Sequence, residues 1–240
     1  MTEKLYLNEA YLKECEARII KIAGNDLILD RTVFYAAGGG QPGDTGIIRC
    51  GERNHEVLDT VKDGDDVVHK MKNTDGLSEG DFCHCTINWE RRYRIMKFHS
   101  AIHLMDGLIN NMPIKNGLIT GSQIYEDRAR VDFSIEEFTK ENVNNIISTV
   151  NDAIKEGHNI HVKYLPSEEA LKVPNLARTE PGRELLRHLA VVRIIEIQDI
   201  DAQADGGTHV KNTSEIGTIK LLKIENKGRN NKRLYFQTEP

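Results

Sequence analysis

The chain has 240 residues, of which 39% are hydrophobic and 29% charged, and its formal net charge is −5. This size allows one or two domains, and the acidic balance excludes a general nucleic-acid coat, because binding along phosphates needs positive charge. No window approaches the roughly 18 apolar residues of a membrane helix, and the charged start MTEKLYLNEAYLKE has no signal-peptide core. We therefore expect a cytoplasmic protein without a membrane partner.

Residues 1–88 carry short β-like runs separated by turn residues. In EARIIKIAGNDLILD, Asn25 and Asp26 stand between two apolar runs, which is typical of a hairpin. Glycines punctuate VFYAAGGGQPGDTGIIRC, and GDFCHCTINW continues the strand pattern. The pattern predicts a small β-barrel domain over residues 1–88. So few cysteines in a chain of this length predict no disulfide framework; they are Cys15, Cys50, Cys83 and Cys85.

A different pattern begins at Trp89 and opens the second predicted domain, residues 89–240. Up to Asn111, apolar residues recur at the helical period of 3.6 residues. The helix so predicted has one core stripe, formed by Ile95, Phe98, Ile102, Met105 and Ile109.

Strand and helix signals alternate after this first helix. Two predicted strands flank a polar turn at 117–134, and a capping box at 134–137 predicts a second helix that ends at Gly157. The apolar run VVRIIEI predicts a buried strand at 191–197, and the tail from Thr218 predicts a hairpin with a polar loop.

Two histidines stand out in the first predicted helix, within KFHSAIHLM. On a helical wheel of about 100° per residue, His99 and His103 lie together on the shoulder of the core stripe. Side chains at i and i+4 project from the same side of a helix, so the two rings can share one metal ion. A structural pair at the edge of a pocket is the alternative, because the histidine content gives about 0.34 such pairs by chance.

A second group of candidate ligands follows the predicted strand at 191–197. In QADGGTHVKN, Gly206 and Gly207 make a tight turn, with Asp205 before the turn and His209 beyond it. Asp205 can supply an oxygen ligand and His209 an imidazole, so this turn complements the histidine pair of the helix. The alternative for Asp205 is a turn residue that bonds its own backbone.

These motifs resemble those of a known family. HSAIH and GGTH resemble the two zinc-binding motifs of the alanyl-tRNA synthetase editing domain, and FYAAGGGQPGDTG (34–46) resembles its glycine-rich motif. GSQIYEDRARVDF (121–133) and VVRIIEI match its strands in position and order, so the resemblance covers nearly the whole chain. The chain is identified as a free-standing editing protein of the AlaX family, medium-length type. The resemblance implies an α+β fold, in which a small N-terminal β-barrel precedes an α/β editing domain shared with threonyl- and alanyl-tRNA synthetases.

The resemblance implies a hydrolase that cleaves the aminoacyl ester at the 3′ end of mischarged tRNA(Ala). Ser-tRNA(Ala) is the expected substrate and Gly-tRNA(Ala) the alternative, since a pocket shaped for alanine rejects serine only about a hundredfold. It also implies one Zn²⁺ per chain on His99, His103 and His209, with a zinc-bound water rather than a side chain as the catalytic group. The family's second motif usually begins with cysteine, whereas Asp205 stands here as a harder candidate fourth ligand.

The hypothesis also assigns contacts with the substrate. Thr120 is expected to hydrogen-bond the serine hydroxyl, because free-standing relatives use a threonine at the matching place. Backbone N–H groups near Gly206 and Gly207 are expected to stabilise the tetrahedral oxyanion. The glycine-rich loop is expected to close one wall of the pocket; it comprises Gly38, Gly39, Gly40 and Gln41. A strand threonine without a ligand and a barrel turn without substrate contact are the alternatives.

Two other classes of function stay open at this point. A non-catalytic tRNA-binding relative would have lost its metal together with the cysteine. An unrelated zinc hydrolase is disfavoured, because HSAIH lacks the glutamate that a metalloprotease carries beside its first histidine. In the editing hypothesis, the acceptor stem of the tRNA is expected to be guided by basic residues such as Arg91, Arg92 and Lys97.

Overall fold

The structure is a computed structural model that describes residues 1–112, 117–135, 139–178, 180–228 and 231–240. The chain divides into two compact units, Met1–Ile95 and Met96–Pro240. The division falls inside the first helix, α1 (Trp89–Asn111). The domain boundary at residues 88 and 89 stays a prediction.

The N-terminal unit is a closed barrel of short strands. Its strands are β1 (Glu3–Lys4), β2 (Glu14–Ala23), β3 (Asp26–Leu29), β4 (Arg31–Thr32), β5 (Gly46–Cys50), β6 (Arg53–Asp63), β7 (Asp66–Met71) and β8 (Phe82–Ile87). The barrel order is β2-β3-β7-β6-β5-β8, and every neighbouring pair is antiparallel. Closure leaves these six strands without a sheet edge, and β1 and β4 pair outside the barrel as a two-stranded parallel sheet. The predicted β-barrel is confirmed.

Alternation along the strands places the apolar side chains inside the barrel. In β2, Ala17 and Ile19 point inward, and the residues on either side of each are exposed. The turn to β3 is Gly24-Asn25, because Ala23 pairs with Asp26. The predicted turn was therefore one residue too far along; Gly24 has φ 61°, a left-handed conformation that favours glycine.

The barrel unit also contains a buried ion pair. Arg92 is fully buried, and its Nε donates to both carboxylate oxygens of Asp44 at 2.8 and 3.0 Å. Its Nη2 donates to the Val33 carbonyl at 2.7 Å. An unpaired buried charge is strongly destabilising, so this guanidinium has a structural role inside the barrel unit and is not exposed to bind RNA. The prediction that Arg92 guides an acceptor stem is wrong; for Arg91 and Lys97, both half-buried, it stays a prediction.

Cys50 and Cys83 form a disulfide between β5 and β8, with their Cα atoms 4.4 Å apart. The pairing of Ile48 with Cys85 in these strands sets a register that brings Cys50 opposite Cys83. Cys15 and Cys85 are free thiols. The sequence predicted no disulfide framework, and it did not indicate this one bond, because the bond depends on a strand register that local sequence does not determine.

The C-terminal unit combines helices with two antiparallel sheets, which confirms the α+β class. After α1 the elements are β9 (Ile119–Ile124), β10 (Ala129–Phe133), α2 (Lys140–Glu156), β11 (Ile160–Pro166), α3 (Ser167–Ala170), α4 (Glu180–Arg187), β12 (Val191–Ile197), β13 (Asp201–Ala204), β14 (Thr218–Asn226) and β15 (Lys232–Glu239). One sheet has the order β14-β15-β10-β9 and the other β11-β12-β13. None of the helices in the described residues has the length and apolarity needed to cross a membrane.

The predicted second helix begins later than its sequence signal. Thr139 is the N-cap of α2, and its hydroxyl accepts the Asn142 N–H at 3.1 Å. The capping box predicted from Ser134 is therefore wrong as a helix start, and its residues 136 and 137 lie outside the described residues. The predicted end is confirmed: Gly157 has φ 76° and closes the helix.

Candidate metal centre

Two elements of the C-terminal unit supply the candidate ligands. His99 and His103 project from α1, where almost every residue from Ile95 to Gly107 is buried, including the predicted apolar stripe. The histidines therefore lie on a buried flank of the helix. Asp205 and His209 lie in the segment that follows β13.

The carboxylate of Asp205 lies among three imidazoles. Its Oδ1 is 3.7 Å from His99 Nε2 and 3.9 Å from His103 Nε2, and its Oδ2 is 3.0 Å from His209 Nε2. One ligand atom from each of the four residues lies within 4.8 Å of all the others. The three histidines are 4%, 8% and 5% exposed, in chain order. The structure thus brings together all four predicted metal ligands.

This arrangement fits a four-coordinate divalent ion. Four nitrogen and oxygen ligands at zinc distances stand about 3.3 Å apart in a tetrahedron, and the carboxylate oxygens lie 3.0–3.9 Å from the imidazole nitrogens. Three imidazoles with one carboxylate form a borderline-hard donor set that suits zinc. The carboxylate oxygens therefore already stand near ligand spacing, and the four ligand atoms lie within 4.8 Å of one another.

The protonation states also suit a metal. Burial lowers the pKa of His99 well below its ordinary value and lowers the pKa of His209 to about 4. Burial by itself raises the pKa of Asp205, but the facing imidazoles, led by His99, hold it well below its ordinary value. At neutral pH these two imidazoles are neutral and the carboxylate is ionised, as metal ligation requires.

Ser100 orients the imidazole of His209. It is fully buried, and its Oγ accepts the Val210 N–H at 3.1 Å and lies 3.2 Å from His209 Nδ1. A hydroxyl oxygen has two acceptor lone pairs, so it can take the Nδ1–H as well. In the structure His209 Nε2 also shares a hydrogen bond with Asp205 Oδ2 at 3.0 Å. When an ion takes that position, the Nδ1–H can donate to Ser100 Oγ and leave the Nε2 lone pair for the ion.

Arg193 fixes the backbone of Asp205. Its Nη1 donates to the Asp205 carbonyl at 2.8 Å, and the Asp205 N–H donates to the Arg193 carbonyl at 3.2 Å. Its guanidinium Nη1 also lies 4.0 Å from Asp205 Oδ2. The Gly207 N–H donates to the same Oδ2 at 2.5 Å, so the carboxylate is held toward the imidazoles.

The two glycines of the turn differ in how closely the site approaches them. A Cβ at Gly207 would lie 2.2 Å from His99 Cε1, whereas a Cβ at Gly206 would meet nothing within 4 Å. The ring of His99 therefore requires glycine at position 207. The predicted oxyanion contact of both glycines stays a prediction, and the Gly207 N–H is engaged by Asp205 in this structure.

Thr120 lies on β9 with its side chain exposed. Its Oγ1 donates to the Asp132 carbonyl at 3.3 Å, which leaves the oxygen able to accept a hydrogen bond from a substrate hydroxyl. The carboxylate of Asp132 is itself held by Arg233 Nε at 2.6 Å. The role of Thr120 in substrate binding stays a prediction.

The glycine-rich loop lies in the N-terminal unit. Gly38 and Gln41 exchange two backbone hydrogen bonds of 3.0 and 2.9 Å, and Gly39 and Gly40 between them have φ 59° and 84°. Two successive left-handed residues make a turn that glycine favours. Gln41 is 2% exposed, and the predicted substrate contact of this loop stays a prediction.

Ser100 and Arg193 are the site residues that sequence reasoning missed. Ser100 stands between the two histidines of HSAIH, and a hydroxyl on a buried helix flank signals a buried partner. Arg193 is the cation inside VVRIIEI, and a cation in a mostly buried strand likewise signals a specific acceptor. Neither signal identifies the partner.

Two family models match the chain, one in each unit. Residues 192–235 match the model described as threonyl and alanyl tRNA synthetase second additional domain. Residues 5–91 match the model described as tRNA synthetases class II (A). The first match contains Arg193, Asp205 and His209 of the metal centre.

Full-length relatives make the assignment specific. The chain is 41% identical over its whole length to the whole alanyl-tRNA editing protein AlaX-M of Saccharolobus solfataricus. It is 38% identical to the AlaX-M protein of Methanosarcina mazei over 98% of this chain and 96% of that protein. It also resembles the alanine–tRNA ligase of Methanococcus aeolicus, at 35% identity over 93% of this chain and 24% of the ligase. The chain belongs to the AlaX-M family of alanyl-tRNA editing proteins.

Proposed function

We propose that the protein hydrolyses the ester that joins a wrong amino acid to the 3′ end of tRNA(Ala), with Ser-tRNA(Ala) as the main substrate and Gly-tRNA(Ala) as a second. The observation that carries this proposal is the convergence of three imidazoles and one carboxylate at a buried site. Relatives named for alanyl-tRNA editing support the choice of substrate. The reaction belongs in the cytoplasm, where tRNA is charged, and needs no membrane partner.

The proposed cofactor is one Zn²⁺ per chain, held by His99, His103, His209 and Asp205. When bound, it supplies Lewis acidity for ester hydrolysis. The surrounding groups orient these ligands, because Ser100 Oγ hydrogen-bonds His209 Nδ1 and the Gly207 N–H holds the Asp205 carboxylate. A carboxylate donates less electron density than a thiolate, so an ion bound here would be a stronger Lewis acid.

Discrimination against correctly charged tRNA requires a polar partner for the serine hydroxyl. Thr120 is the proposed partner, because its exposed Oγ1 can accept that hydroxyl. An alanine side chain would leave the threonine oxygen without this bond, and a site built around a polar contact rejects an analogue that lacks it. The loop from Gly38 to Gln41 is the proposed wall of the amino-acid pocket, and Arg91 and Lys97 are the proposed contacts with the acceptor stem.

The test is release of serine from Ser-tRNA(Ala) by the wild type, by His103→Ala and by His188→Ala. His188 is exposed, with a side chain 73% accessible, and lies outside the metal centre. We expect loss of a ligand to slow hydrolysis about a hundredfold or more, since an electrophilic metal contributes several kcal/mol to such reactions. The His188 variant should match the wild type. Equal rates for all three proteins would refute the metal-dependent hydrolase.

A panel of Ser-, Gly- and Ala-charged tRNA(Ala) separates the proposed enzyme from a tRNA-binding relative without activity. We expect serine to be released fastest and alanine slowest. Binding without release of any amino acid, together with an absence of zinc from the purified protein, would support the non-catalytic alternative.

A further inference from the structure

The barrel contains a second pair of cysteines beside the disulfide. Cys15 on β2 and Cys85 on β8 are direct partners in the antiparallel register. The disulfide Cys50–Cys83 joins the same strand β8 to its other neighbour, β5. All four cysteines belong to the barrel core or pack against it. The strand β8 therefore has a cysteine facing it from each side.

The two side chains of this second pair lie opposite each other on neighbouring strands, and both cysteines are reduced. Directly opposed residues in antiparallel strands have Cα atoms about 4.5–5.5 Å apart, within the range that a disulfide spans. The Cys50–Cys83 bond shows that β8 accepts such a bond without leaving its register.

The two thiols differ in reactivity. The hydrogen bond from Cys85, the Val33 N–H and the positive charge of Arg31 together lower the pKa of Cys15, although burial and Glu16 act in the opposite direction. The same hydrogen bond and burial raise the pKa of Cys85. Cys15 is half-buried and Cys85 buried. Cys15 is therefore the accessible nucleophile, and Cys85 is placed to react with it afterwards.

We propose that Cys15 and Cys85 form a reversible oxidation site for small hydroperoxides. The Cys15 thiolate attacks one oxygen of hydrogen peroxide, the O–O bond breaks, and the departing hydroxide takes up a proton to become water. The sulfur of Cys85 then attacks the resulting sulfenic acid, the S–O bond breaks, and the hydroxide leaves with the Cys85 proton as a second water. In sum, two thiols and one peroxide give one disulfide and two waters.

The test uses a protein in which Cys15 and Cys85 are the remaining cysteines. The Cys50→Ser/Cys83→Ser variant is reduced, treated with hydrogen peroxide, blocked by alkylation and digested. We expect a link between the peptide that carries Cys15 and the peptide that carries Cys85, a mass lower by two hydrogens, and full reversal by dithiothreitol. Should this variant fail to fold, the wild type is treated in the same way, and fragmentation between Cys83 and Cys85 assigns the link.

Single variants separate the two roles. Cys85→Ser should stop at a sulfenic acid on Cys15 that dimedone traps, whereas Cys15→Ser should lose the reaction at the same peroxide dose. Iodoacetamide should label Cys15 in the reduced protein at least about tenfold faster than Cys85. Overoxidation of both residues without a link, or equal labelling rates, would overturn the proposal. The outcome is independent of deacylase activity.

Discussion

Gly207 is a residue of the candidate metal centre at which the structure leaves no room for a side chain. In Gly207→Ala the new methyl group would lie 2.2 Å from His99 Cε1, so the ring must leave its position. We expect zinc affinity, measured by competition with a chelator, to fall by about 10–100-fold, the range seen when ligand orientation is disturbed. Gly206→Ala is the matched control and should bind within about twofold of the wild type, because its Cβ meets nothing within 4 Å. Equal affinities for the two variants would contradict this geometry.

Ser100 provides a second test at the same scale. Ser100→Ala removes the oxygen that lies 3.2 Å from His209 Nδ1, so we expect zinc affinity to fall by about 10–100-fold. Ser100→Thr keeps the hydroxyl and should restore much of that affinity. Ser167→Ala removes a hydroxyl that donates to the Leu186 carbonyl at 2.6 Å, outside the centre, and should leave the affinity unchanged. Similar losses in the alanine and threonine variants at Ser100 would indicate a packing role instead.

The cluster of four candidate ligands was predictable because they occupy two short segments in which spacing alone places side chains together. His99 and His103 share a helix flank, and Asp205 and His209 flank one glycine turn. Ser100 was not predictable, because its partner lies 109 positions away in the sequence. Its role arises only when α1 and the segment after β13 meet.

At the scale of elements, His69 on β7 makes the barrel sensitive to acid. It is fully buried; its Nδ1 donates to the Leu27 carbonyl at 3.1 Å, and its Nε2 accepts the Thr32 hydroxyl at 2.8 Å. Burial lowers the pKa of His69 to about 4 from the ordinary 6.5. The unfolded chain therefore binds more protons between these values, and the free energy of unfolding falls by about 3 kcal/mol as the pH drops from 6.5 to 4.

His69→Gln removes this titration. We expect the variant to lose less unfolding free energy than the wild type between pH 7 and pH 4.5, in urea titrations followed by the fluorescence of Trp89, the chain's one tryptophan. His188→Gln, at an exposed position, should keep the wild-type pH dependence. An unchanged pH dependence in His69→Gln would show that the ring is not buried in neutral form.

Elements were predictable where a periodic pattern coincides with a buried face. The apolar stripe of α1 and the strand at Val191–Ile197 are confirmed for this reason. The start of α2 was misplaced because Ser134 offers a capping signal that Thr139 also offers, and local sequence does not rank the two. The disulfide was missed because it depends on which strands become neighbours in the barrel.

At the scale of the whole molecule, the order of the motifs along the chain indicated the family more specifically than any single motif. The glycine-rich motif, the histidine pair, two strands and the glycine turn occur in family order, and full-length relatives confirm the assignment. Asp205 departs from the cysteine that the resemblance leads us to expect, and it gives the candidate metal site a carboxylate in place of a thiolate. The site as a whole therefore predicts a metal bound by nitrogen and oxygen alone.

X-ray absorption at the zinc edge of the loaded protein tests this claim most directly. We expect one zinc per chain with nitrogen and oxygen neighbours at about 2.0–2.2 Å, and no sulfur shell. The shell should lose one nitrogen in His103→Ala and gain one sulfur, at about 2.3 Å, in Asp205→Cys. A sulfur neighbour in the wild type, or zinc that remains fully bound with an unchanged shell in His103→Ala, would contradict the account.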